Sequence, residues 1–154
     1  MDQTENDLMT RVGPGNPAGE TLRRYWLPIS FCDDVQTDEP KIVRRLAEDL
    51  LLFRDQFGRV GLTEPNCPHR GTSLEYGWIE AGGIRCCYHG WVYDVTGRCI
   101  EQPGELAGSN FKDKIKLKAY PTRVAARRLF RATTFSCATT ASARSMAISA
   151  SATS

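Results

Sequence analysis

The chain has only two histidines, and each follows a cysteine at short spacing. Cys67 and His69 form a Cys-x-His pair, Cys86 and His89 form a Cys-x-x-His pair, and sixteen residues separate the two pairs. Two thiolates and two imidazoles are the donor set of a mixed-ligand 2Fe–2S centre, in which two histidines replace two cysteines on one iron. The spacing therefore predicts an iron–sulfur site with these four side chains as the cofactor and metal ligands.

The same four donors could also hold a single zinc ion in a tetrahedral site. Zinc fingers usually place two cysteines in one loop and two histidines in another, whereas here each loop contributes one of each type. Gly71 and Gly90 follow the two histidines, and a residue without a Cβ lets main-chain amides approach the sulfurs of a cluster. The pattern therefore favours a cluster, and a zinc-stabilised binding module is the alternative from another functional class.

Both motifs resemble those of a known family. Residues 67–78 read CPHRGTSLEYGW and residues 85–94 read RCCYHGWVYD, which is similar to the Rieske domain of bacterial Rieske non-heme iron oxygenases of the aromatic-ring-hydroxylating type. The segments RVGPG at residue 11 and LRRYWLP at residue 22 resemble the phthalate dioxygenase branch of that family. The resemblance covers roughly residues 8–123.

The resemblance implies a Rieske-type 2Fe–2S cluster on Cys67, His69, Cys86 and His89, with buried thiolates and imidazoles that lie toward solvent. It also implies that Cys87, at a position where the family often has proline, is a bystander.

The other cysteines, Cys32, Cys99 and Cys137, have no partner spacing and are predicted to be unliganded thiols. Trp91 and Tyr93 are predicted to pack under the cluster loops. Trp91 also stands where respiratory Rieske proteins have a serine that donates a hydrogen bond to the cluster. Fewer such donors leave the more negative, reduced cluster less stabilised. We therefore predict a reduction potential near the lower end of the class range of roughly −150 to +300 mV.

The family's members receive electrons from a flavin-containing reductase or a ferredoxin and pass them to a mononuclear iron in the oxygenase catalytic domain. That iron is held by two histidines and a carboxylate, and this chain has no histidine beyond the two already assigned. We therefore predict single-electron transfer, with no catalytic residues, by an oxygenase Rieske domain whose catalytic domain is absent. A stand-alone Rieske ferredoxin is the alternative. Intact relatives are expected to be homo-oligomers, an assembly for which this fragment has little surface.

Length and composition set the broad class. A chain of 154 residues allows one domain with a core, and shares of 41% hydrophobic and 25% charged residues are ordinary for a soluble protein. No apolar run approaches the ~18 residues of a membrane span, and the acidic N-terminus is no targeting signal. We therefore predict a cytoplasmic protein with no membrane partner, whose six cysteines serve metal or redox chemistry.

The net charge of +2 is unevenly distributed. All 18 acidic residues lie at or before Asp113, while the last 41 residues carry eight basic residues and no acidic one. A basic tail can indicate nucleic-acid binding, but this one lacks interleaved aromatic residues, so no nucleic-acid partner is predicted.

Short β segments and tight turns predict an all-β, Rieske-type antiparallel sandwich with two cluster-binding hairpin loops and short N-terminal helices. Residues 1–25 are assigned to the helical extension, with Asn16 capping a helix through about Tyr25, and residues 26–123 to the Rieske domain. Alternating lysines from Lys114 to Lys118 predict a half-buried strand.

The last segment, residues 124–154, is predicted to be a disordered or out-of-frame tail. Of the 23 residues from 132 onward, 18 are Ala, Ser or Thr. Such a composition has too little apolar mass to bury itself.

Overall fold

The computed structural model describes residues 2–106, 108–125 and 128–131. Two short helices come first, α1 (Gln3–Thr10) and α2 (Pro17–Leu22). The strands follow in chain order: β1 (Leu27–Phe31), β2 (Lys41–Arg45), β3 (Glu48–Arg54), β4 (Val60–Thr63), β5 (Trp78–Glu80), β6 (Gly83–Arg85), β7 (Val92–Asp94), β8 (Cys99–Glu101), β9 (Thr122–Ala125) and β10 (Arg128–Arg131). Within the described residues, no helix has the length and apolar character needed to cross a membrane.

The strands form antiparallel sheets in the orders β1-β10-β9, β2-β3-β4 and β5-β6-β7-β8. Most neighbours in these sheets are also neighbours in the chain, because short turns connect them. The prediction of an all-β antiparallel fold with short N-terminal helices is therefore confirmed.

Strand β3 separates two hydrophobic cores. Leu50, Leu51, Leu52 and Phe53 are each at most 1% exposed, and side chains alternate between the faces of a strand. Leu51 and Phe53 accordingly belong to the cluster-side core, which also contains both motif cysteines, whereas Leu50 and Leu52 belong to a second core nearer the N-terminal extension. A continuous apolar run is thus explained by burial on both faces.

The two motif segments are loops that connect successive strands of the chain. Residues 67–71 lie between β4 and β5, where Asn66 bridges Ser73 across the loop. Residues 86–90 lie between β6 and β7, where Arg85 pairs with Val92. An isolated bridge therefore fixes the base of the first loop, and strand pairing fixes the base of the second.

One guanidinium attaches the N-terminal extension to the β domain. Arg23, just after α2, donates to the Glu48 carboxylate and to the carbonyls of Val12 and Leu46. Asn16 is the residue before α2, as predicted, but the helix ends at Leu22 and does not reach Tyr25.

The prediction of a strand from Lys114 to Lys118 is only partly right. Residues Phe111–Lys114 form a 3-10 helix, and the rest of the segment makes isolated bridges such as Arg98 to Lys116. The alternation itself is confirmed, since Leu117 is buried while its lysine neighbours are exposed. The alternating pattern predicted which side chains face the core, but it could not predict whether a neighbouring strand would pair with this segment.

The ordered sheet continues past residue 123, where the predicted tail begins. Strands β9 and β10 form a hairpin, and β10 pairs with β1. The physical reason is that Leu129 is 1% exposed and completes the second core. The Ala, Ser and Thr-rich stretch from residue 132, with Cys137, lies outside the described residues.

Candidate metal centre

The two motif loops have the same backbone design. In each, the carbonyl of the first cysteine accepts a hydrogen bond from the glycine four residues later: Gly71 to Cys67 at 2.8 Å and Gly90 to Cys86 at 3.0 Å. Both glycines have left-handed backbone angles, with φ of 71° and 74°, a conformation that favours glycine. The shared turn explains why both motifs end in the same residue.

The two loops bring the motif thiols together in the cluster-side core. Cys67 and Cys86 are each 2% exposed, and their side chains interact with each other. Burial raises the pKa of the Cys67 thiol, and the neighbouring Cys86 raises it further. Negative charge in an apolar setting is costly unless a cation compensates it. The pair is therefore suited to a metal centre.

The two imidazoles form a second pair at the surface. The ring centroids of His69 and His89 are 4.6 Å apart, with His69 half-buried and His89 exposed. Burial lowers the pKa of His69, and the charges of His89 and Arg70 lower it further. A low pKa favours the neutral imidazole, which is the form that binds metal.

One aromatic side chain packs against each imidazole. The Trp91 ring lies parallel to that of His69, with centroids 4.4 Å apart and an interplanar angle of 4°, and the Tyr88 ring lies 3.8 Å from that of His89. Phe111 meets Trp91 edge-on at 6.2 Å. Trp91 is buried, as predicted, and its ring stacks on the half-buried imidazole of His69. Phe111 comes from a distant 3-10 helix, and no sequence signal pointed to it.

Tyr93 contributes a contact that its motif did not reveal. It is fully buried, as the packing prediction required, and its hydroxyl lies 3.2 Å from the Cys67 Sγ. If Cys67 is a thiolate, only the hydroxyl can donate the hydrogen bond. Burial and this hydrogen bond together raise the pKa of Tyr93. The prediction of a low reduction potential counted donors from the loops alone and omitted this one.

The remaining described cysteines, Cys32, Cys87 and Cys99, are free thiols. Cys99 is buried close to Cys67 and Tyr93, and burial raises its pKa to about 11. It is therefore protonated at neutral pH.

The four predicted ligands fit a two-iron cluster. The thiols of Cys67 and Cys86 form one pair, and the imidazoles of His69 and His89 form another. A 2Fe–2S centre with one sulfur-bound iron and one nitrogen-bound iron needs donors divided in this way.

Comparison with known proteins leads to the same group. The family description "Rieske [2Fe-2S] domain" matches residues 25–121. The chain belongs to this family. Its cofactor is therefore the Rieske 2Fe–2S cluster, and the resemblance noted in the sequence is confirmed.

Relatives of this Rieske domain are oxygenase subunits. It is 47% identical over 126 residues to the 5,5'-dehydrodivanillate O-demethylase oxygenase subunit of Sphingobium sp. (strain NBRC 103272 / SYK-6), covering 80% of this chain and 30% of the relative. It is 45% identical over 121 residues to the phthalate 4,5-dioxygenase oxygenase subunit of Pseudomonas putida, covering 77% and 28%. The chain thus spans less than a third of the length of these curated relatives.

A solved structure agrees in fold. The terminal oxygenase of carbazole 1,9a-dioxygenase from Nocardioides aromaticivorans IC177 matches with a TM-score of 0.68 and 29% identity, covering 86% of this chain and 34% of that one. The similarity thus reaches beyond the two loops to most of the described fold.

Proposed function

We propose that this Rieske domain holds its cluster through Cys67, Cys86, His69 and His89 and carries single electrons to the mononuclear iron of an aromatic-ring-hydroxylating oxygenase. The observation that carries the proposal is the pair of matching loops, which places two thiols inside and two imidazoles outside. The electron donor would be a flavin-containing reductase or a ferredoxin. Kinship to proteins named as oxygenase subunits and as a terminal oxygenase supports that role, because such a component acts last in an electron-transfer chain.

The cysteine side and the histidine side of the centre have different roles. When bound, the cluster supplies a one-electron redox centre. The buried cysteine pair excludes water from the sulfur side, while the exposed edge of His89 offers the shortest path to a partner. Trp91 fixes the plane of the His69 ring from the other side. The electron would therefore enter and leave on the histidine side.

The number of histidines in the chain limits it to carrying electrons. A mononuclear oxygenase iron typically needs two histidines and a carboxylate, and the only histidines of the sequence are the two proposed cluster ligands. In this proposal the dioxygen chemistry therefore belongs to another domain.

Spectroscopy and metal analysis of the purified protein test the proposal. We expect a coloured protein with about two irons and two acid-labile sulfides per chain, a reduced-state EPR signal of low average g, and reversible uptake of one electron. Zinc gives no colour and no such signal. About one zinc per chain without acid-labile sulfide would overturn the assignment in favour of a zinc-stabilised module.

The Tyr93→Phe substitution should lower the reduction potential. The reduced cluster carries more negative charge, so it gains more from the hydroxyl donor than the oxidised cluster does. A net hydrogen-bond contribution of about 0.5–1.5 kcal/mol corresponds to roughly 20–65 mV for one electron.

A potentiometric titration followed by EPR measures this shift. Tyr76→Phe is the matched control, because Tyr76 is 70% exposed, and its potential should equal that of the wild type. An unchanged potential in Tyr93→Phe would show that the hydroxyl does not donate to the reduced centre.

A further inference from the structure

Arg85, which directly precedes the second loop, joins that loop to two other strands of the same sheet, β5 and β8. Its Nη1 donates to the carbonyl of Gly90 at 2.7 Å. Its Nε and Nη2 donate to the two carboxylate oxygens of Glu80 on β5, and Nη2 also donates to Glu101 on β8 at 2.7 Å. The paired carboxylate contact fixes the plane of the guanidinium, because two parallel hydrogen bonds allow one orientation.

The carbonyl that Arg85 holds belongs to the residue after His89. The N–H of Gly90 donates to the Cys86 carbonyl, and the N–H of Cys86 donates to the Trp91 carbonyl at 2.8 Å. With the guanidinium on the Gly90 carbonyl, both the N–H and the carbonyl of the residue after His89 are hydrogen-bonded. Arg85 thus contacts the main chain directly next to His89.

The first loop is less enclosed. A Cβ added at Gly71 would meet nothing within 4 Å, whereas one added at Gly90 would lie 3.2 Å from the Pro103 ring and 3.5 Å from Arg85 Nη1. The residue that precedes Cys67, in the place of Arg85, is the exposed Asn66. The two loops thus share a backbone turn but differ in what supports them from outside.

We propose that Arg85 is a positioning residue for the cluster, which holds the backbone of the second loop so that the exposed His89 stays in place to bind iron. The proposal rests on the function proposed above. Its physical basis is that a surface imidazole has few packing contacts of its own, so the main chain beneath it must be fixed by other groups. Residues that orient metal ligands typically change metal affinity about 10- to 100-fold when replaced.

The test compares Arg85→Met and Arg85→Lys with the wild type, all loaded with cluster. We expect Arg85→Met to lose its visible absorbance about 10- to 100-fold faster in the presence of a chelator and to show altered g values in the reduced-state EPR spectrum. Arg85→Lys should be intermediate, because an ammonium can reach the carbonyl or a carboxylate but cannot form the fork.

Arg23→Met is the matched control. Arg23 also joins a carboxylate to two backbone carbonyls, but it does so at the N-terminal extension. Its loss should lower the Tm and leave the g values as in the wild type. If Arg85→Met lowers only the Tm and keeps the wild-type g values and rate of cluster loss, the positioning role is refuted.

Two further outcomes are separable. If the wild-type protein itself takes up no cluster, the proposed function fails before Arg85 is tested. If Arg85→Met does not fold, Glu101→Gln replaces it, since this change weakens one hold on the guanidinium and should accelerate cluster loss in the same direction. A wild-type rate of loss in both Glu101→Gln and Arg85→Lys would refute the positioning role.

Discussion

Replacing either histidine with alanine is expected to abolish the visible spectrum and the reduced-state EPR signal. Each variant removes one of the two nitrogen donors that we assign to the outer iron, which leaves that iron with an open coordination position at the protein surface. Iron and acid-labile sulfide should both fall toward zero, because the iron and its bridging sulfides leave together. The measurements are the absorbance spectrum and the two elemental counts per chain.

The His89→Ala variant is the more direct of the two tests. His89 is exposed, so its removal should change the unfolding free energy of the cluster-free protein by no more than about 0.5 kcal/mol. His69 is half-buried under Trp91, so its removal also costs packing. Cys87→Ser is the matched control, since Cys87 also has a Cys-x-His spacing to His89 but is not a proposed ligand. A coloured His89→Ala protein with full iron and sulfide would disprove the ligand assignment.

Trp91→Ala should both destabilise the domain and release the cluster. Trp91 is 6% exposed and packs between His69 and Phe111. Truncation of a buried tryptophan costs about 3–5 kcal/mol, because it removes apolar contacts and leaves a cavity. The His69 ring also loses the flat surface that fixes its plane. Urea unfolding of the cluster-free protein measures the first effect, and the EPR spectrum of the loaded protein measures the second.

Trp78→Ala is the control for that experiment. Trp78 is 58% exposed, so its truncation should change the unfolding free energy by about 0.5 kcal/mol or less. Trp91→Phe should lie between the two, because a smaller ring retains part of the stack. If Trp91→Ala were no less stable than Trp78→Ala, the packing role of Trp91 would be wrong.

The sequence predicted the four candidate ligands because the information is local. Cys67 and His69, and likewise Cys86 and His89, are each only a few residues apart, so the fold has little freedom to separate them. The turn glycines are local for the same reason. The meeting of the two loops could be predicted only from their ligands, because each loop supplies one cysteine and one histidine and a cluster needs both loops.

The supporting side chains were not predictable in the same way. The packing of Tyr93 was predicted, but its hydrogen bond to Cys67 depends on how the strands bring the two residues together. Phe111 approaches Trp91 from a 3-10 helix whose position no short pattern encodes. Arg85 resembles any surface arginine until β5, β6 and β8 place two carboxylates around it. Strand β10 lies past the predicted boundary at residue 123, because composition, averaged over the whole tail, concealed Leu129, which completes the second core.

The two-sided burial of strand β3 has a consequence for how the domain unfolds. Because its successive side chains anchor opposite cores, neither core can be exposed to solvent while the other stays intact. We therefore expect cooperative melting over the whole β domain, and we expect cluster binding to slow amide hydrogen exchange even in strands outside the two loops.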